Sequence, residues 1–156
     1  MLKNPSILLL KQLAINHHRI RYPNTPEHAR TTHNYTDKTA NGLTRCIIDY
    51  LRFNGHQAER INTTGTYRMN KTKYTDVIGR QRTIQEGFWT PSGVTKGSAD
   101  ISATINGRSV KIEIKIGRDR LSPEQKHYRQ TIERAGGTYL IASSFQQFLD
   151  QYHQLF

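Results

Sequence analysis

The dipeptide Asn106-Gly107, with alternating apolar and polar residues on both sides, most constrains how this chain can fold. Asn-Gly is the strongest short-range signal for a two-residue β-hairpin turn of type I′, in which both central residues have positive φ. Such a turn fixes the register of the two strands. Ile105 then faces Arg108, and every more distant pair has residue numbers with the same sum.

The alternation predicts two distinct faces for this hairpin, because successive side chains of a strand point to opposite sides. The apolar face consists of Ile101, Ala103, Ile105, Val110, Ile112, Ile114 and Ile116. The polar face consists of Ser98, Asp100, Ser102, Thr104, Lys111, Glu113 and Lys115.

The predicted register sets two carboxylates, Asp100 and Glu113, directly opposite each other. Opposed residues have Cβ atoms about 4.5–5.5 Å apart, and like charges at that distance destabilise a sheet. A cation such as Mg²⁺, which prefers oxygen ligands, removes the conflict. Lys115 projects from the same face, where it can orient or deprotonate a water molecule or stabilise a transition state. The alternative is a solvated polar face on which Lys111 and Lys115 neutralise Glu113.

Four short segments, taken in order, carry a resemblance to a known family. They are Gly97-Ser-Ala-Asp100, Glu113-Ile-Lys115, Leu121-Ser-Pro-Glu-Gln125, and Gly136-Gly137 before a strand. Together they resemble the PD-(D/E)XK nuclease superfamily, and within it the VRR-NUC group and related Holliday-junction-resolvase-like nucleases, over residues 41–149. The resemblance implies a restriction-endonuclease-like core and a Mg²⁺-dependent deoxyribonuclease in which Mn²⁺ substitutes for Mg²⁺.

The same resemblance implies roles for individual residues. Asp100, Glu113 and the backbone carbonyl of Ile114 would hold the metal ion, Lys115 would position the nucleophile, and Gln125 would support it through a hydrogen bond. Gln125 also has a structural explanation, since Ser122 and Gln125 match a helix capping box with Pro123 at the first helical position.

One feature of the family is missing from this sequence. The first helix of these nucleases often carries an acidic residue that reaches the metal ion. The matching place here falls near Asn41 or Thr44, and neither is acidic. This departure leaves the third carboxylate ligand open, although Asn41 or Thr44 can hold a metal-bound water.

The charge of the chain favours a polyanionic partner, since 23 Lys and Arg stand against 12 Asp and Glu, a formal net charge of +11. Residues 67–96 are basic and interleave Tyr67, Tyr74, Phe88 and Trp89, a pattern that suits phosphate contact and base stacking. The alternatives are a surface that binds other proteins and aromatic side chains that cover a sheet edge. The predicted DNA-binding residues are Arg68, Lys71, Lys73, Arg80, Arg82, Lys96, Arg118 and Arg120.

The order of elements predicts an α/β domain with a mixed central sheet flanked by helices. We assign residues 41–156 to the nuclease domain, with 67–96 as an inserted basic hairpin around Gly79. Residues 1–40 are predicted to form a helix at 7–15 and then, from His17, a polar basic arm that is extended or disordered. The arm can lie along DNA, pack on a second subunit or hang as a loosely attached tail.

Local signals place the remaining elements. They predict a core helix from Leu43 to Asn54, a strand at 57–62, a helix capped by Ser122, a buried strand at 138–142, and a closing helix that begins at Ser144.

These observations lead to one main functional hypothesis and two alternatives. The first is a metal-dependent DNA endonuclease, structure-specific for branched DNA such as junctions or flaps, for which a homodimer would suit a symmetric junction. The second is a non-catalytic nucleic-acid-binding module. The third, a protein-interaction scaffold, leaves the opposed carboxylates unexplained. The lone Cys46 excludes an internal disulfide, and no segment is long enough to cross a bilayer, so we expect a cytoplasmic protein.

Overall fold

A computed structural model describes residues 4–31 and 33–156 of the chain. Its helices are α1 (Pro5–Arg21), α2 (Ala40–Phe53), α3 (Pro123–Arg134) and α4 (Phe145–Leu155), with a 3-10 turn at Glu27–Ala29. Its strands are β1 (Gln57–Arg60), β2 (Thr66–Thr75), β3 (Gln81–Thr90), β4 (Ile101–Ile105), β5 (Arg108–Ile114) and β6 (Thr138–Ala142). The chain divides into two compact units, Met1–Ile61 with Lys96–Phe156, and Asn62–Thr95.

The turn between β4 and β5 has the predicted geometry. Asn106 has φ 48° and Gly107 has φ 78°, the positive values that a type I′ turn requires. The five ladder pairs of β4 and β5, which begin with Ile105 opposite Arg108, follow the predicted register. Local turn chemistry therefore sets which side chains of this hairpin share a face.

The first unit contains a mixed four-stranded sheet in the order β1-β4-β5-β6. The pairs β1–β4 and β4–β5 are antiparallel, whereas β5 and β6 are parallel. The parallel pair requires a crossover, which α3 supplies. The predicted α/β architecture, a mixed sheet flanked by helices, is confirmed. The predicted strand at 57–62 is shorter than expected and ends at Arg60.

The apolar face of this sheet forms the core together with α1, α2 and α4. The core side chains include Leu10, Leu43, Ile47, Leu51, Ile101, Ile105, Val110, Ile112, Phe145 and Phe148, all fully buried. On the other face α3 packs against β6, where the Tyr128 and Tyr139 rings lie 6.4 Å apart. No residue of α3 is fully buried. The polar face is therefore covered more thinly than the apolar face.

The ends of the helices follow their local sequence. Ser122 and Gln125 form a complete capping box at the start of α3, and Pro123 occupies the first helical turn. The Ser144 side chain caps α4 by accepting a hydrogen bond from the Gln147 backbone N–H. Gly55, with φ 81°, follows the end of α2. These boundaries confirm the predicted helices, because caps depend on residues only two or three positions apart.

The N-terminal segment differs from the prediction. Helix α1 extends to Arg21, so the assignment of residues 17–21 to an extended or disordered arm is wrong. Leu10 on this helix is fully buried in the core, as is most of Tyr35 beyond it. In these last turns the His17 ring lies 4.9 Å from the Phe53 ring of α2, and Arg19 forms an ion pair with Glu27. The polar sequence of the segment, which has no clear period, does not reveal these contacts.

The second unit, Asn62–Thr95, is a two-stranded antiparallel ribbon of β2 and β3. Its turn carries Gly79, with φ 79°, and the Asp76 carboxylate accepts hydrogen bonds from the backbone N–H groups of Ile78 and Arg80. Each strand has ten residues, so the hairpin is longer than the alternation around Gly79 alone indicated. Nearly all of its side chains are exposed.

The burial of Leu10 generates a test of whether α1 belongs to the core. Leu10→Ala is expected to lower the free energy of unfolding by about 2–5 kcal/mol, because it leaves a cavity in a fully packed site. Urea denaturation followed by circular dichroism measures the change. The matched control is Ile20→Ala on the same helix, since Ile20 is 82% exposed and its truncation should cost little. Equal effects of the two changes would show that α1 is a loose tail.

Candidate active site

Glu113 is the central residue of the polar face of the sheet. The β5 alternation directs its side chain away from the core isoleucines, yet only 2% of the residue is exposed. Its Oε1 accepts a hydrogen bond from Gln125 Nε2 at 2.5 Å and lies 3.2 Å from Lys115 Nζ. The Tyr139 hydroxyl lies 3.5 Å from Oε2. A buried carboxylate is thus contacted by an amide, an ammonium and a phenol.

The environment of Glu113 raises its pKa from 4.5 to about 7. Burial is the largest cause, because it disfavours the charged form, and the negative charge of Asp100 adds to it. The hydrogen bond and charge of Lys115 act in the opposite direction and do not cancel these two effects. The negative charge of ionised Glu113 is therefore unfavourable in the folded protein, and binding of a proton or of an additional cation reduces this cost.

Asp100 lies one residue before β4 and faces the backbone of β5. Its Oδ2 accepts a hydrogen bond from the Ile114 N–H at 2.9 Å, and its own carbonyl accepts one from the Ile61 N–H at 2.8 Å. The ladder of β4 and β5 ends at Ile101 and Ile112, so Asp100 is not a ladder partner of Glu113 as the turn register predicted. The two carboxylates are nevertheless close enough for one to raise the pKa of the other.

Lys115 is held between two carboxylates. Its Nζ lies 3.2 Å from Glu113 Oε1 and 3.2 Å from Asp119 Oδ2, and its side chain is only 11% exposed. Burial alone lowers the pKa of Lys115, but the hydrogen bonds of Asp119 and Glu113 outweigh it, so the net direction is upward. Lys115 is therefore a fixed cation at Glu113 and not a freely moving surface lysine.

Gln125 combines the structural and functional roles that the sequence left open. Its Oε1 accepts a hydrogen bond from the Ser122 N–H in the capping box, while its Nε2 donates to Glu113. The amide is thus oriented by the helix end before it meets the carboxylate. An Asn or a Glu here would lose one of the two contacts, through shorter reach or through the absence of a donor.

The start of α3 also anchors the segment that leads to Asp100. Gly97 has φ 82°, and a Cβ at this position would lie 2.5 Å from the Glu124 carbonyl. Only glycine fits such an approach. Beside it, Lys96 Nζ forms an ion pair with Glu124 at 2.8 Å. One helix end therefore positions both Gln125 and the chain before Asp100.

The donor set of this site fits a hard divalent cation. Asp100 and Glu113 offer carboxylate oxygens, the ligands that Mg²⁺ prefers, and burial together with the charge of Asp100 raises the pKa of Glu113. Within residues 4–31 and 33–156 no three His, Cys, Asp or Glu side chains converge as a metal site. Any further ligands would be backbone carbonyls or water, and the proposed carbonyl of Ile114 stays a prediction.

The predicted DNA-binding residues of the hairpin lie on both sides of the ribbon. From the β2–β3 register, Lys71 and Lys73 share a face with Tyr67 and Trp89. Arg68 and Arg82 share the other face with Tyr74 and Phe88. Arg82 Nε forms an ion pair with Asp76 at 2.8 Å, whereas Arg80 is exposed next to the turn.

The remaining predicted residues lie in the first unit. Arg118 and Arg120 are exposed and flank Asp119 in the loop after β5. Lys96 is exposed but paired with Glu124. Asn41 and Thr44 line a cleft of about 850 Å³, whose walls do not include the two candidate carboxylates.

Sequence reasoning missed two residues that contact the site, Asp119 and Tyr139. Asp119 lies between Arg118 and Arg120, which were predicted to bind DNA, although its spacing of four from Lys115 was a usable signal. Tyr139 lies in an apolar run, and its position depends on the parallel pairing that sets it beside Lys111. No local pattern reveals that pairing.

Comparison of the chain with protein families, with curated proteins and with solved structures finds no match. The resemblance to PD-(D/E)XK nucleases therefore remains a prediction from the motifs. Among the described residues, no helix has the length and apolar character needed to cross a membrane.

The raised pKa of Glu113 predicts how stability depends on pH. Because the folded protein binds this proton more tightly than the unfolded chain, stability falls as pH rises from 4.5 to about 7 and then levels off. Glu113→Gln removes this loss. Its stability relative to wild type should increase across that window, by at most about 3–4 kcal/mol at roughly 1.4 kcal/mol per pH unit.

The measurement is urea denaturation in EDTA at several pH values. The matched control is Glu59→Gln at an exposed position of β1. If the difference in unfolding free energy between Glu113→Gln and wild type does not change with pH, then Glu113 is ionised throughout and Lys115 fully compensates its negative charge.

Proposed function

We propose that this protein is a metal-dependent deoxyribonuclease that hydrolyses phosphodiester bonds, with branched DNA as its substrate. The observation that carries the proposal is the buried Glu113. It contacts Gln125 and Lys115, and the negative charge of Asp100 raises its pKa. A structural ion pair explains Lys115 alone. It does not explain why a second carboxylate is kept near a buried one at a cost in electrostatic energy.

Each residue has a defined task in this proposal. Asp100 and Glu113 would hold a Mg²⁺ ion, with Mn²⁺ as a substitute, and Gln125 and Tyr139 orient the Glu113 carboxylate. Such an ion, when bound, lowers the pKa of a coordinated water and offsets charge on the scissile phosphate. Lys115 positions the attacking water and stabilises the charge that develops on the phosphate. Asp119 keeps the Lys115 ammonium at Glu113 and acts as a positioning residue.

The hairpin supports DNA as the substrate, because exposed cations and aromatic rings occur together on both faces of a two-stranded ribbon. Cations contact phosphates, and exposed rings stack on unpaired bases, which branched DNA supplies. A homodimer would match a symmetric junction, and light scattering of the protein with and without a four-way junction tests that association.

A non-catalytic nucleic-acid-binding module is the second candidate. It is favoured by the closed contacts of Glu113 with Lys115 and Gln125, and by Asn41 and Thr44 at the place of a family acid. The two candidates differ in one outcome. The module binds DNA but leaves supercoiled, flap and four-way-junction DNA intact with every divalent ion.

Removal of either carboxylate should stop cleavage without stopping binding. Asp100→Asn and Glu113→Gln are expected to reduce cleavage in Mg²⁺ or Mn²⁺ at least about a hundredfold, because each removes charge that holds the ion. Affinity for the same DNA in EDTA should stay close to wild type. The assay measures cleavage of a labelled four-way junction beside electrophoretic binding. A variant that cuts at the wild-type rate would remove that carboxylate from the site.

Lys115 and Lys111 separate a positioned lysine from general positive charge. Lys115 contacts Glu113, whereas Lys111 on the same face donates to Ser102 Oγ at 2.5 Å. Loss of one preorganised electrostatic contact typically slows turnover about 100–1,000-fold. Lys115→Ala should therefore fold and bind DNA but cleave at least about a hundredfold more slowly, while Lys111→Ala stays active.

Single-turnover rates at saturating protein measure this difference without the contribution of binding. Similar losses in both variants would indicate phosphate attraction only. No loss in Lys115→Ala would favour the non-catalytic module.

A further inference from the structure

A second concave surface lies on the first unit, outside the candidate active site. It is a cleft of about 850 Å³ between one stripe of α2 and the segment before it, with the end of β1 at its edge. Its lining residues are His33, Asn34, Asn41, Gly42, Thr44, Arg45, Ile48, Asp49, Arg52 and Arg60. The members from α2 recur every three or four positions, which places them on one face of the helix.

The cleft carries an excess of positive charge from arginines. Arg45, Arg52 and Arg60 stand against a single carboxylate, Asp49. That carboxylate already accepts a hydrogen bond from the Tyr35 hydroxyl at 2.9 Å. Arginine binds phosphate through several N–H groups of a rigid plane, so this lining suits phosphate oxygens.

One of these arginines is fixed before any ligand arrives. Arg52 Nε donates to the Ala58 carbonyl at 2.9 Å, which ties its guanidinium to β1 and leaves the two terminal nitrogens for a ligand. A group held in this way loses less rotational freedom on binding than a free surface arginine.

The spacing of the arginines favours a chain of phosphates over a single small anion. Arg45 and Arg52 are seven residues apart, which corresponds to roughly 10.5 Å along the helix axis. This spacing suits two separate phosphate groups better than one small phosphate ion. Consecutive phosphates of a nucleic-acid strand can contact the two guanidinium groups in turn, while the amides of Asn34 and Asn41 donate to phosphate or sugar oxygens.

The cleft also begins next to the candidate active site along the sheet. Arg60 at the end of β1 pairs with Ile101, the residue after Asp100. The next residue, Ile61, donates its backbone N–H to the Asp100 carbonyl at 2.8 Å. Arg60 therefore follows the same edge of the sheet as Asp100, although its side chain lies on the face of Ile101 and not on the polar face that carries Glu113.

We propose that this cleft binds the sugar–phosphate backbone of a nucleic-acid strand, with Arg45, Arg52 and Arg60 as its phosphate contacts. The inference rests on the proposed DNA substrate but not on catalysis. It assigns to the first unit a binding surface of its own, independent of the basic hairpin, and it gives α2 a ligand-binding face opposite its core face.

The first test measures binding in EDTA, where cleavage does not occur. Arg45→Gln/Arg60→Gln keeps Arg52, whose bond to Ala58 is structural. Its affinity for a fluorescein-labelled DNA duplex should fall at least tenfold, and the slope of log affinity against log salt should fall by about 1.8, at about 0.9 per phosphate contact. The matched control is Lys126→Gln/Arg134→Gln, which removes two exposed charges from α3.

The outcomes of this test separate the alternatives. Equal losses in the two double variants would show general charge attraction and overturn the proposal, as would no loss in the cleft variant. Thermal unfolding in the presence of inorganic phosphate or of the duplex tests for a small-anion site. If phosphate stabilises the protein as much as the duplex does, and Arg45→Gln/Arg60→Gln abolishes that effect, the cleft is a small-anion site and the proposal is overturned. If the cleft variant loses binding and wild type never cleaves, the cleft proposal stands and the nuclease proposal fails.

A second test locates the strand directly. Cys46 is fully buried, so a cysteine placed at the exposed Asn41 can be labelled selectively with a photoreactive aryl azide. Asn41→Cys is expected to crosslink to DNA upon illumination, whereas Gln130→Cys on the exposed side of α3 is expected to give at least tenfold less product. Equal crosslinking from the two positions would overturn the proposal.

Discussion

The turn at Asn106-Gly107 is the constraint on which the arrangement of the first unit depends. Both residues have positive φ, so only one register joins β4 to β5. A shift of one residue would turn the core isoleucines toward the polar face and bury Glu113 among Leu and Phe side chains. The register thus fixes the core and the candidate active site together.

The central feature of the candidate active site is the buried carboxylate of Glu113, whose burial is energetically costly. A buried carboxylate needs partners, and its partners come from distant parts of the chain, Gln125 from a helix end and Tyr139 from the parallel strand. The contact with Lys115 only partly compensates the negative charge, because Asp100 lies close by and the pKa of Glu113 remains raised. Burial of a carboxylate with a raised pKa costs stability, and this cost supports the proposal that the site serves chemistry.

The positive charge of the protein is divided between surfaces with different character. On the ribbon of the second unit, exposed cations and aromatic rings occur together on both faces. In the first unit, three arginines line a cleft in which polar amides replace the rings. Two of the cations that the sequence predicts to bind DNA, Arg82 and Lys96, each form a close ion pair within the protein. Net charge alone therefore does not show which cations are already paired within the protein.

The sequence by itself determined the features that depend on short stretches of chain. The register of β4 and β5, the capping box of Ser122 and Gln125, and the burial of alternate isoleucines follow from turn geometry, cap geometry and period two. It also singled out Asp100, Glu113, Lys115 and Gln125, which the structure brings together through shared contacts or charge.

Only the tertiary structure decided the rest. It extended α1 to Arg21, where His17 packs on Phe53 of α2, set Tyr139 beside Glu113 through the parallel pairing of β5 and β6, and gathered Arg45, Arg52 and Arg60 around one cleft. The physical reason is the same in each case. These contacts join residues far apart in the chain, and their energy depends on how whole elements pack, which no local pattern of residues encodes.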